Sequence, residues 1–411
     1  GAVPDKLHWL SLMNSAVVII VLTSFFVTRL VKHLRPDLAP GYSALTTTEE
    51  DGATNSHEQG QGAWIRACNH MFEPPVERPK LLAVACGTGA QICVATFVTL
   101  AFCCLGWLSP ARRGAMLTAM ILLFVLNGAV NGYATARLYK TFKGDDISRA
   151  TGMAATLFPS IAFGVLLIVN VLAWCQDSTD SVPIFTLGVL CFLWAVVNVP
   201  LVFLGAHCGG KAGVLVDIQL QGASNLDARA PVPAQPWSLS LPCVFIVGGI
   251  LPFAALYMEL YSILASVWRE YYYSTYGFLF LALTASIITL VEVSLVMMMF
   301  QLRHGNYRWW WRSFGIGGSS AAWVFMYSWV YFQQLEASSV AAHMFFGYMT
   351  LACLGLGCMM GFISVASTLW FNRALFALLQ AKLDSGMLSC DELLPESNEL
   401  ENYHALQVEM K

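Results

Sequence analysis

The stretch Gly248-Gly-Ile-Leu-Pro-Phe-Ala-Ala-Leu-Tyr-Met-Glu259 lies inside an apolar run, Leu241 to Trp268, that is long enough to cross a bilayer. It contains a glycine pair, a proline at position 252 and an acid at position 259. Glycine and proline loosen or bend a helix, and a carboxylate in hydrocarbon must be protonated, paired or hydrated. The stretch therefore predicts a helix inside a membrane bundle, facing other helices or a polar cavity.

The composition of the whole chain predicts a membrane protein. Of 411 residues, 57% are hydrophobic and 11% are charged, and the mean hydropathy is +0.61. A soluble domain carries roughly 25% charged residues. The 12 cysteines lie mostly in apolar runs and form no C-x-x-C pair, so they indicate no disulfide framework. Enzyme, phosphate-loop, metal and nucleic-acid signatures are missing too, so we expect no catalysis, cofactor, metal or nucleic-acid partner.

Hydropathy predicts an all-α bundle of nine transmembrane helices, since each apolar run has about the 20 residues that a bilayer core requires. The runs lie at about 7–28, 81–108, 114–138, 150–175, 182–206, 241–268, 276–302, 314–335 and 338–370. We assign residues 1–375 to this domain, with long loops at about 29–80 and 207–240, and residues 376–411 to a tail.

Basic residues indicate the orientation of the bundle. With the N-terminus lumenal and the C-terminus cytosolic, 17 of the 22 Lys and Arg residues fall in the cytosolic segments. Tryptophans cluster near the predicted membrane edges, as an aromatic belt requires. We therefore expect the run Trp309–Trp311 to be an interfacial anchor on the cytosolic side.

Two acids, Glu259 and Glu292, lie deep in the predicted spans. One interpretation is that they couple transport to a proton or cation. The other is structural, with each acid accepting hydrogen bonds from a neighbouring helix. Counted from the outer loop at 1.5 Å per residue, they differ in depth by about 10 Å, so they form no obvious pair. Both interpretations stay open.

Other features of the spans suggest a groove between helices. Pro159, Pro200 and Pro252 predict bends in the fourth, fifth and sixth spans. Amides in the spans are ordinarily explained by interhelical hydrogen bonds. We expect a groove bounded by the bent fifth and sixth spans. Its candidate residues are Gln91, Asn131, Gly248, Gly249, Pro252, Glu259 and Glu292.

Two segments match the small-xxx-small pattern for close helix approach, Gly128-Ala-Val-Asn-Gly132 and Gly357-Cys-Met-Met-Gly361. Internal packing is the expected role, and docking of a foreign helix is the alternative.

The tail carries candidate sorting signals. Tyr403-His-Ala-Leu406 fits the tyrosine–x–x–bulky-hydrophobe pattern that clathrin adaptors bind in extended form, and Tyr42-Ser-Ala-Leu45 fits it as well. Such short patterns also occur by chance.

Several motifs in order along the chain resemble the nonaspanins, the nine-spanning transmembrane 9 superfamily. The motifs are His8-Trp-Leu-Ser-Leu-Met-Asn-Ser15, Gly87-Thr-Gly-Ala-Gln91, Leu105-Gly-Trp-Leu-Ser-Pro-Ala-Arg-Arg-Gly114, Gly132-Tyr133 through Arg137-Leu-Tyr-Lys140, Gly248-Gly-Ile-Leu-Pro-Phe253, Tyr276-Gly-Phe-Leu-Phe280, Glu292 and Trp311-Arg-Ser-Phe314. The resemblance runs from about residue 7 to residue 375 and implies the membrane portion of such a protein, without its N-terminal lumenal domain.

The resemblance implies an integral protein of Golgi or endosomal membranes that sorts other membrane proteins, especially those with glycine-rich spans. Its expected partners are transmembrane cargo, membrane lipids, and clathrin adaptors or coatomer at the tail. Family members typically end in a Lys-x-Asp/Glu signal that coatomer reads. Here Lys382-Leu-Asp384 occupies that place, but 27 residues follow it. This favours sorting by clathrin adaptors over Golgi retention by coatomer. The family's acids before the tryptophan run are also replaced, by His304-Gly-Asn306.

Two functions follow as hypotheses. The first is a non-enzymatic cargo receptor or chaperone for transmembrane segments, whose groove contains the polar residues of the spans. The second is a transporter or channel that uses Glu259 and Glu292 for ion or proton coupling. The sequence contains no convincing internal repeat of the kind that many transporters have.

Overall fold

The regular structure of the chain is helical. The computed structural model describes residues 17, 20–21, 23–28, 32, 70–105, 107, 113–175, 182–216, 235–269, 275–334 and 339–384, and no β-strand occurs within these ranges. The helices are α1 (Pro79–Cys104), α2 (Arg113–Leu126), α3 (Gly128–Thr141), α4 (Ile147–Cys175), α5 (Ile184–Leu193), α6 (Val199–Lys211), α7 (Leu241–Arg269), α8 (Thr275–Arg303), α9 (Trp310–Gln333) and α10 (Ser339–Asp384). Residues 23–28, before α1, are helical too.

Five segments of the described chain are long and apolar enough to cross a membrane. They are Pro79–Cys104, Ile147–Cys175, Ile184–Lys211, Leu279–Arg303 and Ala341–Leu378. A sixth is obtained if α2 and α3, which meet at a bend of 40°, form one span. The predicted all-α membrane bundle is thereby confirmed, whereas the count of nine spans and the sides of the termini stay predictions.

The bundle has two groups of helices joined through α1 and α10. In the first group α3 packs on α1, α4 and α6, and in the second α9 packs on α7 and α10. Helix α1 also packs against α2, α4, α8 and α10, so it lies at the centre. This position explains its many buried small residues, since neighbours surround it on several sides.

Glycines let the helices of each group touch backbone to backbone. A Cβ at Gly132 of α3 would overlap the carbonyl oxygen of Val202 in α6, and one at Gly205 of α6 would overlap that of Ala129 in α3. A Cβ at Gly361 of α10 would lie 2.7 Å from the ring of Phe314 in α9. Both small-xxx-small segments therefore serve internal packing, as expected.

The tryptophan run holds a segment of the loop that precedes α1. The indole N–H groups of Trp309, Trp310 and Trp311 donate to the backbone carbonyls of Met71, Glu73 and Glu77, at 2.8, 2.8 and 2.6 Å. Trp309 and Trp310 are buried and their rings stack at 4.0 Å. We call this arrangement the tryptophan clamp.

The prediction of an interfacial anchor is therefore wrong for Trp309 and Trp310, because protein surrounds both rings. Trp107, Trp174 and Trp370 are exposed, as residues of an aromatic belt would be.

Candidate functional site: polar groups inside the bundle

The break between α2 and α3 leaves the carbonyls of Phe124 and Val125 without their usual helical donors, and two amide side chains replace these donors, while the Leu123 carbonyl keeps the backbone N–H of Asn127 at 3.0 Å and accepts from a side chain as well. Asn127 Nδ2 donates to the Leu123 carbonyl at 2.9 Å. Gln91 Nε2 donates to the Phe124 carbonyl at 2.7 Å, and Asn198 Nδ2 donates to the Val125 carbonyl at 3.1 Å. A broken helix persists in a membrane only where such partners satisfy the freed backbone groups. These amides therefore stabilise the break.

Gln91 also belongs to a buried network that joins α1, α3 and α4. Asn131 Nδ2 lies 2.9 Å from Gln91 Oε1 and 3.1 Å from the carbonyl oxygen of Ala154, and the Thr135 hydroxyl donates to Asn131 Oδ1 at 3.1 Å. Gln91, Asn131 and Thr135 are at most 2% exposed. A Cβ at Gly87 would overlap the Thr135 hydroxyl, so α1 needs glycine there.

The structure thus brings two of the candidate residues, Gln91 and Asn131, into direct contact. Their amide groups are engaged with each other and with backbone carbonyls inside closely packed helices. This is the structural role that interhelical hydrogen bonding predicts for amides in spans.

A proline inside α4 follows the same rule. Pro159 has no N–H group, so the Ala155 carbonyl in α4 loses its helical donor. Trp194 Nε1 donates to that carbonyl at 2.8 Å. Trp194 begins the π-helical turn Trp194–Asn198, which precedes Pro200 within the continuous helix Ile184–Lys211.

The glycine pair and proline of α7 face α8 and α9. A Cβ at Gly248 would lie 2.9 Å from Ile316 of α9, and one at Gly249 would lie 2.5 Å from the Ser319 hydroxyl. Pro252 is buried, and its carbonyl accepts a hydrogen bond from Ser286 of α8 at 2.9 Å. These three candidates therefore serve helix packing at this point of the bundle.

Glu292 of α8 contacts the helical residues that precede α1. Its Oε1 accepts a hydrogen bond from the Thr23 hydroxyl at 2.5 Å, and Phe26 packs nearby in the apolar cluster of α7, α8 and α10. The second carboxylate oxygen is buried and has no hydrogen-bond partner among the described residues. Glu259 lies in α7, and its side chain is outside the described part of the structure.

The candidate residues do not converge on one groove. The bent helices of the predicted fifth and sixth spans pack in different groups, α6 on α3 and α7 on α8 and α9. Gln91 with Asn131 forms one cluster, and Gly248, Gly249 and Pro252 form another contact. The sorting-signal candidates Tyr403 and Leu406 lie outside the described residues, and Lys382 and Asp384 lie in the last turn of α10.

Sequence reasoning missed a chain of four buried hydroxyl groups between α8, α9 and α10. The Ser364 hydroxyl donates to the Ser313 carbonyl at 2.7 Å and lies 2.8 Å from the Ser294 hydroxyl. The Ser313 hydroxyl lies 3.0 Å from those of Ser364 and Thr368. We call these four residues the hydroxyl cluster. The only signal in the sequence is the four-residue spacing of Ser364, Thr368 and Asn372, which places three polar side chains on one face of α10.

Comparison with known proteins identifies relatives of the chain. The family model described as Endomembrane protein 70 matches residues 2–340. Transmembrane 9 superfamily member 9 of Arabidopsis thaliana is 37% identical over 375 residues, which cover 91% of this chain and 56% of that protein. Human Transmembrane 9 superfamily member 4 is 31% identical over 377 residues, covering 91% of this chain and 57% of the relative. Mouse member 2 is 33% identical over 377 residues, with 91% and 55% covered.

The chain spans about half the length of the curated relatives it matches. No solved structure matches it.

Proposed function

The chain belongs to the endomembrane protein 70 family, and on this basis we propose that it is a membrane-trafficking protein that binds the spans of other transmembrane proteins and sorts them. It acts in Golgi or endosomal membranes as a cargo receptor or chaperone and catalyses no reaction. Nine spans with a lumenal N-terminus and a cytosolic C-terminus belong to the same proposal. Its tail recruits clathrin adaptors or coatomer.

The observation that carries this proposal is a face of small residues on the outside of α4. A Cβ at Gly152 or Gly164 would meet no described atom within 4 Å, and Thr156 and Ser160 between them are exposed. The Thr156 hydroxyl donates to the carbonyl of its own helix at Gly152, at 2.8 Å, so it needs no outside partner.

Small residues allow two helices in a membrane to approach closely, and close packing is the main attraction between such helices. The glycines of α3, α9 and α10, and Gly205 and Gly209 of α6, already contact other parts of this chain. The α4 face presents the same chemistry outward, which supports a span rich in glycine as its partner.

Co-immunoprecipitation tests this proposal with cargo that carries a glycine-rich span and with a version in which leucines replace the glycines. We expect recovery of the glycine-rich cargo and loss of the leucine version. Gly164→Leu should lower recovery about tenfold, because the leucine keeps the two backbones apart.

Gly188→Leu is the matched control, because Gly188 of α5 also has open space but lies among the bulky exposed residues Ile184, Phe185 and Phe192. Equal recovery of both cargo versions, or equal losses in the two variants, would contradict the proposal.

A second candidate function, ion or proton coupling, rests on Glu292, whose Oε2 is buried without a partner in the described structure. Proton or cation flux into liposomes containing the protein tests it. Coupling requires flux that Glu292→Gln abolishes, and flux that this variant leaves unchanged would remove the candidate.

A further inference from the structure

Helices α3 and α6 run parallel and end side by side. A Cβ at Gly128, at the start of α3, would lie 2.9 Å from Asn198, just before α6, and one at Gly132 would overlap the carbonyl of Val202. The residue numbers of both helices therefore increase in the same direction along their contact. The C-terminal ends of the two helices lie together at one end of the bundle.

These two helix ends lie at the level of lipid headgroups. The apolar segment that contains α6, Ile184–Lys211, has 28 residues. A helix of that length is about 42 Å long, and a bilayer with its headgroups is about 40–45 Å thick. Lys211, the last residue of the segment, therefore reaches the headgroup region when the segment crosses a bilayer. The distribution of Lys and Arg predicts this side to be cytosolic.

Three cationic side chains meet at this place. Lys140 Nζ donates to the carbonyls of the residues immediately before and after Lys211, at 2.9 and 3.0 Å. Arg137 Nε donates to the carbonyl of Gly213 at 3.2 Å. Lys211 itself is exposed. We call Arg137, Lys140 and Lys211 the basic cluster.

The positive charge of the basic cluster exceeds what the helix ends offset. The C-terminal end of a helix carries about half a negative charge, so the ends of α3 and α6 together offset about one of the three positive charges. No carboxylate among the described residues forms an ion pair with a member of the cluster. About two positive charges are therefore left for a ligand.

The loop that follows α3 does not supply the missing negative charge. It contains Asp145 and Asp146, but also Lys143 and Arg149, so its charges cancel. Arg149 Nη1 lies 3.2 Å from a carboxylate oxygen of Asp146. This loop therefore provides a matched control region, with cations at the same end of the bundle that already have acids beside them.

The exposed face of α6 below the basic cluster is apolar. Phe203 and Leu204 are 44% and 58% exposed, and the exposed residues His207 and Lys211 follow on the same side of the helix. Leu204 lies seven residues, or about 10 Å, before Lys211 along the helix axis. The face thus changes from apolar at hydrocarbon depth to cationic at headgroup level. A phospholipid has the same order of groups, whereas a soluble phosphate would leave the apolar part unused.

The guanidinium of Arg137 is held ready for such a ligand. Its Nη1 donates to the Tyr133 hydroxyl at 2.9 Å, and the Tyr133 ring centroid lies 5.7 Å from its central carbon. The described hydrogen bonds of Arg137 use Nε and Nη1, which leaves Nη2 as a donor to an anion. A fixed guanidinium recognises phosphate oxygens well, because less conformational freedom is lost on binding.

We propose that the basic cluster binds the headgroup of an anionic phospholipid that carries a phosphate monoester, with the acyl chains lying on Phe203 and Leu204. A phosphate monoester carries about 1.5 to 2 negative charges at neutral pH, which matches the charge that the helix ends leave over. Basic sites between spans at a membrane surface recognise headgroups of this kind. The inference goes beyond the proposed sorting function and does not depend on the cargo face of α4.

Native mass spectrometry of the purified full chain tests the site by titration with phosphatidylinositol 4-phosphate, phosphatidylserine and phosphatidylcholine of equal acyl chains. We expect phosphatidylinositol 4-phosphate to bind about tenfold more tightly than either of the other lipids, because only its headgroup carries a monoester. Equal affinity for phosphatidylcholine would refute the site. Equal affinity for phosphatidylserine would refute the requirement for a monoester.

A headgroup without acyl chains distinguishes a lipid from a soluble phosphate. Glycerophosphoinositol 4-phosphate has the same phosphates and lacks the chains, so it should bind at least about tenfold more weakly than the lipid. If it binds as tightly as the lipid, a soluble phosphate compound is the ligand and the proposed lipid is wrong.

Variants locate the binding. Arg137→Gln and Lys211→Gln should each weaken binding of phosphatidylinositol 4-phosphate about tenfold, because each removes a charged donor to the phosphate. Lys143→Gln removes the same charge from an exposed residue of the loop after α3 and should leave binding unchanged. Equal losses in Lys211→Gln and Lys143→Gln would show general attraction of anions by surface charge and would refute the site.

The exposed position of Lys211 keeps the test usable. Arg137 joins α3 to the residue Gly213 after α6, so Arg137→Gln could lower the stability of the fold. If that variant does not give folded protein by size-exclusion chromatography, Lys211→Gln decides alone, because the Lys211 side chain is exposed at the helix end. Wild-type affinity in folded Lys211→Gln would refute the site.

Discussion

At the scale of single residues, the amides of this chain act mainly as substitutes for missing backbone donors. Gln91 and Asn198 satisfy the two carbonyls that are left free at the break before α3, and Trp194 satisfies the carbonyl that Pro159 leaves free. A polar side chain in a span is costly unless it is paired, and here the pairing and the helix breaks stabilise each other.

Gln91→Leu should therefore lower the stability of the bundle by about 1–2 kcal/mol, because it leaves the Phe124 carbonyl unpartnered and removes one acceptor of Asn131. Thermal unfolding of the protein in detergent measures the effect. Thr156→Val is the control, since the exposed Thr156 hydroxyl bonds only within its own helix, and this change should be nearly neutral.

In a double-mutant cycle, Gln91→Leu and Asn131→Leu should be non-additive, as expected for two residues in one hydrogen-bonded network. Additive effects would mean that the two amides do not interact as the structure shows.

At the scale of elements, glycine decides which helices touch. The contact between α3 and α6 depends on Gly132 and Gly205, each of which faces a carbonyl of the partner helix. Glycines in α4 and α5 face open space instead. A glycine therefore permits a close helix contact in some helices and faces open space in others. The neighbouring helices, and not the local sequence pattern, determine which of these two roles it has.

Gly132→Ala and Gly188→Ala should consequently change stability in opposite directions. The methyl group at position 132 overlaps the Val202 carbonyl and should cost about 2 kcal/mol or more. At position 188 it meets nothing, and the higher helix propensity of alanine should stabilise the protein by up to about 1 kcal/mol. Thermal midpoints of the two variants check this, and a shift of the same sign in both would contradict the close contact of α3 and α6.

The tryptophan clamp is the second feature at this scale. Trp309→Phe keeps an aromatic ring but removes the donor to the Met71 carbonyl, so residues 70–78 should exchange their amide hydrogens faster. Hydrogen–deuterium exchange followed by mass spectrometry measures this. Trp370→Phe, at an exposed tryptophan, should leave exchange of that segment unchanged. Unaltered exchange in Trp309→Phe would mean that other contacts hold the segment.

At the scale of the whole molecule, we expect the tail that follows the bundle to determine the cellular location of the protein. Tyr403→Ala should shift the steady-state distribution towards the cell surface, because adaptors need the tyrosine ring. Surface biotinylation measures this shift, with His404→Ala as the control at a position that the signal leaves open. If neither variant changes the distribution, the tail signal has no role.

The positions of several helices could be predicted from the sequence, but the contacts between helices could not. Predicted spans at 81–108, 150–175 and 276–302 coincide closely with helices of the structure. Gln91 and Asn131 stand out in the sequence as polar residues in apolar runs, but they are 40 residues apart, and nothing in the sequence indicates that they form a hydrogen bond. The hydroxyl cluster was not anticipated, because Ser294, Ser313 and Ser364 come from three different helices.

The sequence by itself determined that the chain is a bundle of apolar helices of this family, because hydropathy and ordered motifs are local properties that can be read along one chain. Only the tertiary structure decided which polar groups are already satisfied. Hydrogen-bond partners such as Gln91 and Asn131, or Trp309 and Met71, are far apart in the sequence and are brought together by the packing of their segments. Whether a buried amide, glycine or tryptophan stabilises the bundle or remains available to a ligand depends on those distant neighbours.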